Sequence, residues 1–257
     1  MIQIDHAAIV APGAELGVDV DIGPYCIVGP EVQLGDRCRL HSMVRIDGRT
    51  IIGQGCEFFH SSAIGGEPQD LKYRGAPSYL QIGARNTFRE FCTVNRATAE
   101  GEATIIGNDN LIMAYAHVAH NCVMGNHTIL ANAANLAGHV EMGDFAIIGG
   151  VTPVHQFVRI GPHSIIGGGC RVPKDVPPFV KAAGNPLHVF GLNTIGLQRR
   201  GFSAESVNEL KKLYRIFFRL KLVKEKALER IRVECRSLPE IKLFCDFVER
   251  SERGLTR

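Results

Sequence analysis

The stretch AHVAHNC, residues 116–122, holds His117 and His120 with two residues between them and Cys122 alongside. His139 and His155 follow downstream. A neutral imidazole can accept a proton near pH 7 or ligate a metal, so the cluster admits base catalysis, metal binding or plain packing. The backbone decides between them. On a helix, His117 and His120 would share a face; on a flat strand they would point apart.

The element that carries them is set by a period of six. Apolar residues recur from Ile4 through Val10, Leu16, Ile22, Val28, Leu34, Leu40, Ile46, Ile52, Phe58 and Ile64. The same phase returns at Ile82, Phe88 and Val94, and then runs from Ile106 to Val172. Six matches neither the helix period nor the strand period of two. It fits a short strand, a turn and a return to the same inward position. Gly often follows the apolar residue, which suits a turn whose backbone angles other residues avoid. Three hexads per coil, stacked at the strand spacing of roughly 4.8 Å, give a solenoid. About 18 residues separate successive coils, which puts His120 and His139 nearly above one another, with His155 close to the same corner.

Cys26, Cys38, Cys56, Cys92, Cys122 and Cys170 all lie four residues after an apolar anchor, where Ala, Val, Ser and Thr also occur. The slot takes small inward side chains, and Cys there acts as a small hydrophobe. No CxxC pair exists. Free thiols agree with a cytoplasmic location.

Two segments interrupt the period, residues 65–81 and 95–103, and both read as loop excursions from a coil. After Val172 the repeat stops, and the Pro-rich passage VPKDVPPFVKAAGNP reads as chain off the solenoid. Three helices are expected beyond it: one capped by Ser203, one across KEKALERIRVECR, and one begun by Ser237 with Pro239 and Glu240. They would cap the open end of the solenoid. The division is therefore a solenoid over 1–186 and a helical domain over 187–257.

The composition, with 45% apolar residues, is that of a globular chain. No segment reads as a signal peptide or a transmembrane span. Residues 193–257 hold 16 Lys and Arg against 9 Asp and Glu, whereas residues 1–192 hold 13 against 17. A basic tail on an acidic body points to an acidic partner for the tail.

The hexad resembles that of the hexapeptide acyltransferases, whose fold is a left-handed parallel β-helix. Within that superfamily, AHVAHNC, LAGHVEMGDFAIIGG, VHQF, PQDLKY, DVPP and GLQRRGF together resemble the UDP-N-acetylglucosamine O-acyltransferases of lipid A biosynthesis. The resemblance spans essentially the whole chain. It implies transfer of an (R)-3-hydroxyacyl group from acyl carrier protein to the glucosamine 3-hydroxyl, by a cytoplasmic homotrimer with each site between subunits. No cofactor, metal, nucleic acid or membrane span is implied.

The resemblance also assigns roles. His120 is the general base and Gly138 the oxyanion donor. His117 and His139 line the sugar site, and Asp70 and Lys72 reach it from the first excursion. His155 and Gln156 lie near the acyl and substrate hydroxyls. Asn193 and Arg200 hold the nucleotide, and Arg199 with the basic tail faces the carrier protein. Gly168 bounds the acyl groove; Gly167 is read as the turn glycine there, which leaves Gly168 free of any structural duty. Two residues depart from the family's usual pattern: Asn121 stands where Asp is common, and Ile195 where Glu is. An amine-bearing sugar acceptor stays open.

Two other readings stand beside this one. A trimeric hexapeptide zinc enzyme resembling the γ-class carbonic anhydrases would pair histidines five positions apart, but those positions hold Tyr115 and Cys122. A non-enzymatic hexapeptide scaffold is the other. No Gly-x-Ser-x-Gly elbow is present, which favours direct attack on a thioester over a covalent enzyme intermediate.

Overall fold

A computed structural model describes residues 1–257. Short strands, mostly of two residues, occupy the anchor and the residue before it, as in His117–Val118 and Val123–Met124. They stack into three long sheets whose pairing is parallel until the final strand. Each strand pairs with its counterpart one coil away, so Val118 registers with Leu136 and Leu136 with Val154. The chain is a parallel β-helix with three faces. The first face carries anchors such as Ile112 and Leu130, the second Val118 and Leu136, and the third Met124 and Met142.

Anchors from Ile22 onward are buried, as are the cysteines and small residues four places later. Along each strand the residue before the anchor points outward, where Arg39, Arg45 and Glu141 are exposed.

The turns differ from expectation. Apart from Gly65 at the start of the first excursion, the glycines that follow the anchors do not take left-handed backbone angles; that conformation falls two residues later and is filled mostly by other residue types. Asn121, His139, Phe157 and His163 all have φ near +60°. A left-handed residue without glycine costs roughly 1–2 kcal/mol. The N–H it redirects bonds to the preceding coil: His139 donates to the His120 carbonyl at 3.1 Å and Phe157 to that of Gly138 at 3.2 Å. Glycine serves a different need. A Cβ on Gly143 would stand 2.7 Å from the Pro162 nitrogen, and one on Gly17 2.6 Å from the Asp36 nitrogen. Coils approach too closely there for any side chain.

The passage after Val172 stays on the solenoid. Val172 and Val176 still bridge to Val154 and Ile160, and Val180–Ala183 pairs in parallel with Ile165–Ile166. His188–Leu192 then turns back antiparallel along that strand. The hexad pattern ends before the coil does because proline and a longer path replace it.

The tail contains four helices, α1 (Thr194–Arg199), α2 (Ala204–Tyr214), α3 (Lys224–Glu234) and α4 (Pro239–Glu249). Ser203 caps α2 as expected, accepting from the Ser206 N–H. A π-helical turn, Arg215–Arg219, extends it. The expected start of α4 at Ser237 is displaced: the cap residue is Leu238, and Pro239 opens the helix. α1 was not foreseen from the sequence. Phe179 and Leu192 join the helices' inward residues in a second core that covers the end of the solenoid. No helix is long and apolar enough to cross a membrane.

Candidate active site

The stacking rule places the histidines. His120 and Asn121 follow the second-face anchor Val118, Gly138 and His139 follow Leu136, and His155, Gln156 and Phe157 follow Val154. All seven therefore occupy three successive levels of one corner, between the second and third faces. Both excursions leave the same corner, two and one coils earlier. The first separates strand Ala63–Gly66 from Tyr79–Ile82, and the second separates Thr93–Asn95 from Ala103–Ile106. One edge of the prism thus gathers the imidazoles and both loops.

His120 is half-buried and oriented. Its Nδ1 lies 3.0 Å from Asn121 Oδ1. The amide cannot be the other way round. Asn121 Oδ1 also accepts from the Thr98 N–H at 3.1 Å, while Asn121 Nδ2 donates to Glu102 Oε2 at 2.6 Å. An N–H can only donate and a carboxylate can only accept, so the amide's oxygen faces the ring. His120 Nδ1 must then carry the proton, which leaves Nε2 as the free base. Asn121, the departure from the usual Asp, supplies the orienting acceptor itself.

The neighbouring imidazoles are disposed to stay neutral. Burial pushes His117 below the usual histidine range, and the charge on His120 depresses it further. The same two causes, in the same order, lower His139. Glu102 and Asp70 act on His139 in the opposite direction, which sets both excursions within electrostatic range of the cluster. His117 Nδ1 pairs with Thr93 Oγ1 at 2.7 Å. The His120 and His139 rings meet edge to face, with centroids 5.3 Å apart, and Phe157 stacks on His139 at 4.6 Å.

Gly138 lies under the His120 ring. A Cβ there would stand 2.5 Å from His120 Cε1 and 2.7 Å from Nε2, so only glycine fits. Its N–H makes no hydrogen bond within the chain. Asp70 is half-buried, and its carboxylate accepts from the Lys72 N–H at 2.8 Å, tightening the loop that carries both. His155 Nδ1 faces the Gln156 carbonyl at 3.2 Å, and Gln156 itself is exposed. A groove of about 710 Å³ opens beside the corner, bounded by Asn121, His139, Glu141 and Arg159. No group of three or more His, Cys, Asp or Glu side chains is arranged to hold a metal.

The remaining expected residues lie elsewhere in the chain. Asn193 is buried and engaged: its Oδ1 caps α1 by accepting from the Gly196 N–H, and its Nδ2 donates to the His163 carbonyl at 2.9 Å. The Arg200 guanidinium lies 4.8 Å from the Phe145 ring centroid, and Arg199 beside it is exposed. Phe145 and His163 belong to the corner between the third and first faces. One chain therefore does not bring Asn193, Arg199 and Arg200 to His120. Ile195, on α1, is 63% exposed.

Gly168 is at a third place, the corner between the first and second faces. Gly169, with φ +70°, holds the left-handed turn position there, and Gly167 does not. Nor is Gly168 free of structural duty: a Cβ would stand 3.1 Å from the Gly150 carbonyl oxygen.

Sequence reasoning missed Thr98 and Glu102. The available signal was phase. The second excursion falls between Val94 and Ile106, the same slot that holds His120 between Val118 and Met124.

A hexapeptide β-helix with an oriented histidine at one corner and a helical tail is the architecture of a hexapeptide acyltransferase, and the comparisons make the family specific. Residues 103–138 match the bacterial transferase hexapeptide model, and residues 175–256 match the second-domain model of UDP-N-acetylglucosamine O-acyltransferase. The chain is 48% identical, over the full length of both proteins, to the acyl-[acyl-carrier-protein]–UDP-N-acetylglucosamine O-acyltransferase of Thermodesulfovibrio yellowstonii. It superposes on the UDP-N-acetylglucosamine acyltransferase of Bacteroides fragilis with a TM-score of 0.97, at 40% identity, covering 99% of this chain and 100% of that one. The Acinetobacter baumannii structure gives a TM-score of 0.93 at 42% identity, with 99% of each chain covered. The chain belongs to the UDP-N-acetylglucosamine O-acyltransferase family, and its fold is a left-handed parallel β-helix followed by a C-terminal helical domain.

Proposed function

We propose that this chain transfers an (R)-3-hydroxyacyl group from acyl carrier protein to the 3-hydroxyl of UDP-N-acetylglucosamine, the opening step of lipid A biosynthesis. The observation that carries the mechanism is the His120–Asn121 hydrogen bond, which leaves Nε2 free to act. His120 Nε2 takes the hydroxyl proton as the sugar oxygen attacks the thioester carbonyl carbon. Charge collects on the carbonyl oxygen, where the Gly138 N–H donates to it. Collapse breaks the carbon–sulfur bond, and the departing thiolate takes the proton back from Nε2. His117 and His139, kept neutral, line the sugar without competing for that proton. Asp70 and Lys72 close over the sugar from their loop, and His155 and Gln156 extend the site toward the acyl chain.

Nucleotide binding by Asn193 and Arg200 requires a second copy of the chain, because a single copy holds them at a different corner from His120. A homotrimer with each site between neighbours supplies that. Arg199 and the basic tail then face the acidic carrier protein. Eight free cysteines suit a cytoplasmic enzyme.

Incubation of the purified protein with 3-hydroxyacyl carrier thioester and UDP-N-acetylglucosamine, followed by mass analysis, tests the reaction. The expected product is the acylated sugar nucleotide; an intact or merely hydrolysed thioester contradicts it. Mixing inactive His120→Ala chains with Arg200→Ala chains at low UDP-sugar tests the shared site. Recovered turnover supports it, and additive inactivity contradicts it.

A further inference from the structure

Asn121 is a bridge with a charge at its far end. Its Oδ1 takes hydrogen bonds from His120 Nδ1 and from Thr98, whose Oγ1 donates at 3.0 Å, while its Nδ2 donates to the Glu102 carboxylate at 2.6 Å. An amide that donates to an anion becomes more polarised, and its oxygen becomes a stronger acceptor. We propose that Glu102 is a positioning residue for His120: acting through the Asn121 amide, its carboxylate fixes the Nδ1–H tautomer and stabilises the imidazolium formed during transfer. This rests on His120 being the base.

The surroundings single out Glu102. The titratable groups around the ring are His117 from its strand and His139 from the next coil; Glu102 from the second excursion reaches it through the Asn121 amide, and Asp70 from the first acts on His139. Both histidines are held toward the neutral form, so they supply no compensating charge. Of the two carboxylates, only Glu102 bonds to the amide that holds His120; Asp70 is occupied with the Lys72 N–H. The second excursion thereby gains a use, since Thr98 and Glu102, near its two ends, clamp the amide from both sides.

Amide and carboxylate form a matched pair. Asn121→Asp alone would set two carboxylates against each other with no proton between them. Glu102→Gln alone would keep an acceptor for Asn121 Nδ2 but remove the charge. The double variant Asn121→Asp/Glu102→Gln would restore one carboxylate and one amide, with the anion now beside the ring.

The test measures kcat and the pH profile of kcat/KM for His120→Ala, Glu102→Gln, Asn121→Asp and the double variant, with 3-hydroxyacyl carrier thioester and UDP-N-acetylglucosamine. Glu102→Gln should lower kcat by about 10-fold, the low end of the loss seen when outer-shell partners of metal-ligating histidines are removed, taken here by analogy. Its acidic limb should move to lower pH, because removing an anion destabilises imidazolium. Asn121→Asp should also be impaired, and the double variant should recover much of the loss. A Glu102→Gln enzyme with wild-type kcat and an unmoved limb overturns the inference, as does a double variant no better than its parents. If His120→Ala retains turnover, the general-base reading fails and takes this one with it. If His120→Ala is inactive while Glu102→Gln is normal, only the role of Glu102 falls. A purely structural Glu102 would leave the limb in place.

Discussion

Two corners of the prism carry columns of aromatic rings built by the same hexad rule, yet only one has the means for chemistry. Between the third and first faces, His127, Phe145, His163 and Phe179 stack nearly parallel, with successive centroids 4.7, 4.8 and 5.7 Å apart. The tail closes over them, with Phe202 edge-on to His163 at 5.0 Å. His163 Nδ1 has no hydrogen-bond partner, and burial, helped by the Arg200 charge, pushes its pKa down to about 4. Between the second and third faces, His120 meets His139 edge-on, and a polar acceptor fixes which ring nitrogen holds the proton. A histidine in a repeat slot is packing by default. It becomes a base where a hydrogen-bonded neighbour orients it and its far nitrogen stays free.

The largest test of that contrast exchanges the two roles. His120→Ala should lose about 10²–10⁴-fold in kcat, the usual contribution of a general base. His163→Phe, which extends the stack, should leave kcat near wild type. Comparable losses from both variants would erase the distinction between the corners.

Next in size is Gly138→Ala. Its methyl group would occupy the place of the His120 ring, which must then shift, and a misplacement of about 1 Å can cost on the order of 10²-fold. The melting temperature should move little, because the half-buried ring can swing toward solvent. Full activity in this variant would mean that the position of the ring above Gly138 is unimportant.

A smaller effect is expected at the remaining corner. Gly168→Met should penalise the longest 3-hydroxyacyl chains by about 1–3 kcal/mol while sparing short ones, because adding volume at the end of a groove overpacks it. The tight approach to the Gly150 carbonyl predicts a parallel loss of thermal stability. Competing thioesters of graded length, with melting curves, separate the two; an unchanged length profile removes Gly168 as the ruler.

The smallest effect is on stability against pH. The folded-state pKa of His163 is lowered from 6.5 to about 4, so the folded protein binds fewer protons than the unfolded chain between those values. Its contribution to stability is present above pH 6.5 and lost as pH falls toward 4. His163→Phe should flatten the fall in melting temperature across that window. An identical slope in both proteins would show that His163 is already protonated at no cost in the folded state.

Much of this was legible in the sequence. Unbroken phase from Ile4 to Val172 gives the coils, the small-residue slot gives the interior, and counting by 18 puts His120 over His139. That count fails across the excursions, where Ile64 pairs with Val94 and Val94 with Val118, so their place at the histidine corner is a finding of the structure. Other features were hidden because they depend on contact between coils. Glycine after the anchor reads as a turn residue, but it marks a close approach whose severity only the neighbouring coil reveals. The left-handed position two residues later carries Asn, His, Phe and Val, so no composition signal betrays it. The chain from Val172 to Leu192 keeps its strand pairing after losing the hexad, because backbone hydrogen bonds do not need the motif. Glu102 lies 19 residues from its partner Asn121 in sequence. Only the stack brings them together.

The central claim is that His120 is held as the Nδ1–H tautomer with Nε2 free. Nitrogen NMR of ¹⁵N-histidine-labelled protein, with His120 assigned by its loss in His120→Gln, reads this directly at a pH where the ring is neutral. The account predicts a protonated Nδ1 and an unprotonated Nε2. An Nε2–H tautomer would contradict it, because the nitrogen facing the substrate would then have no lone pair to take the hydroxyl proton.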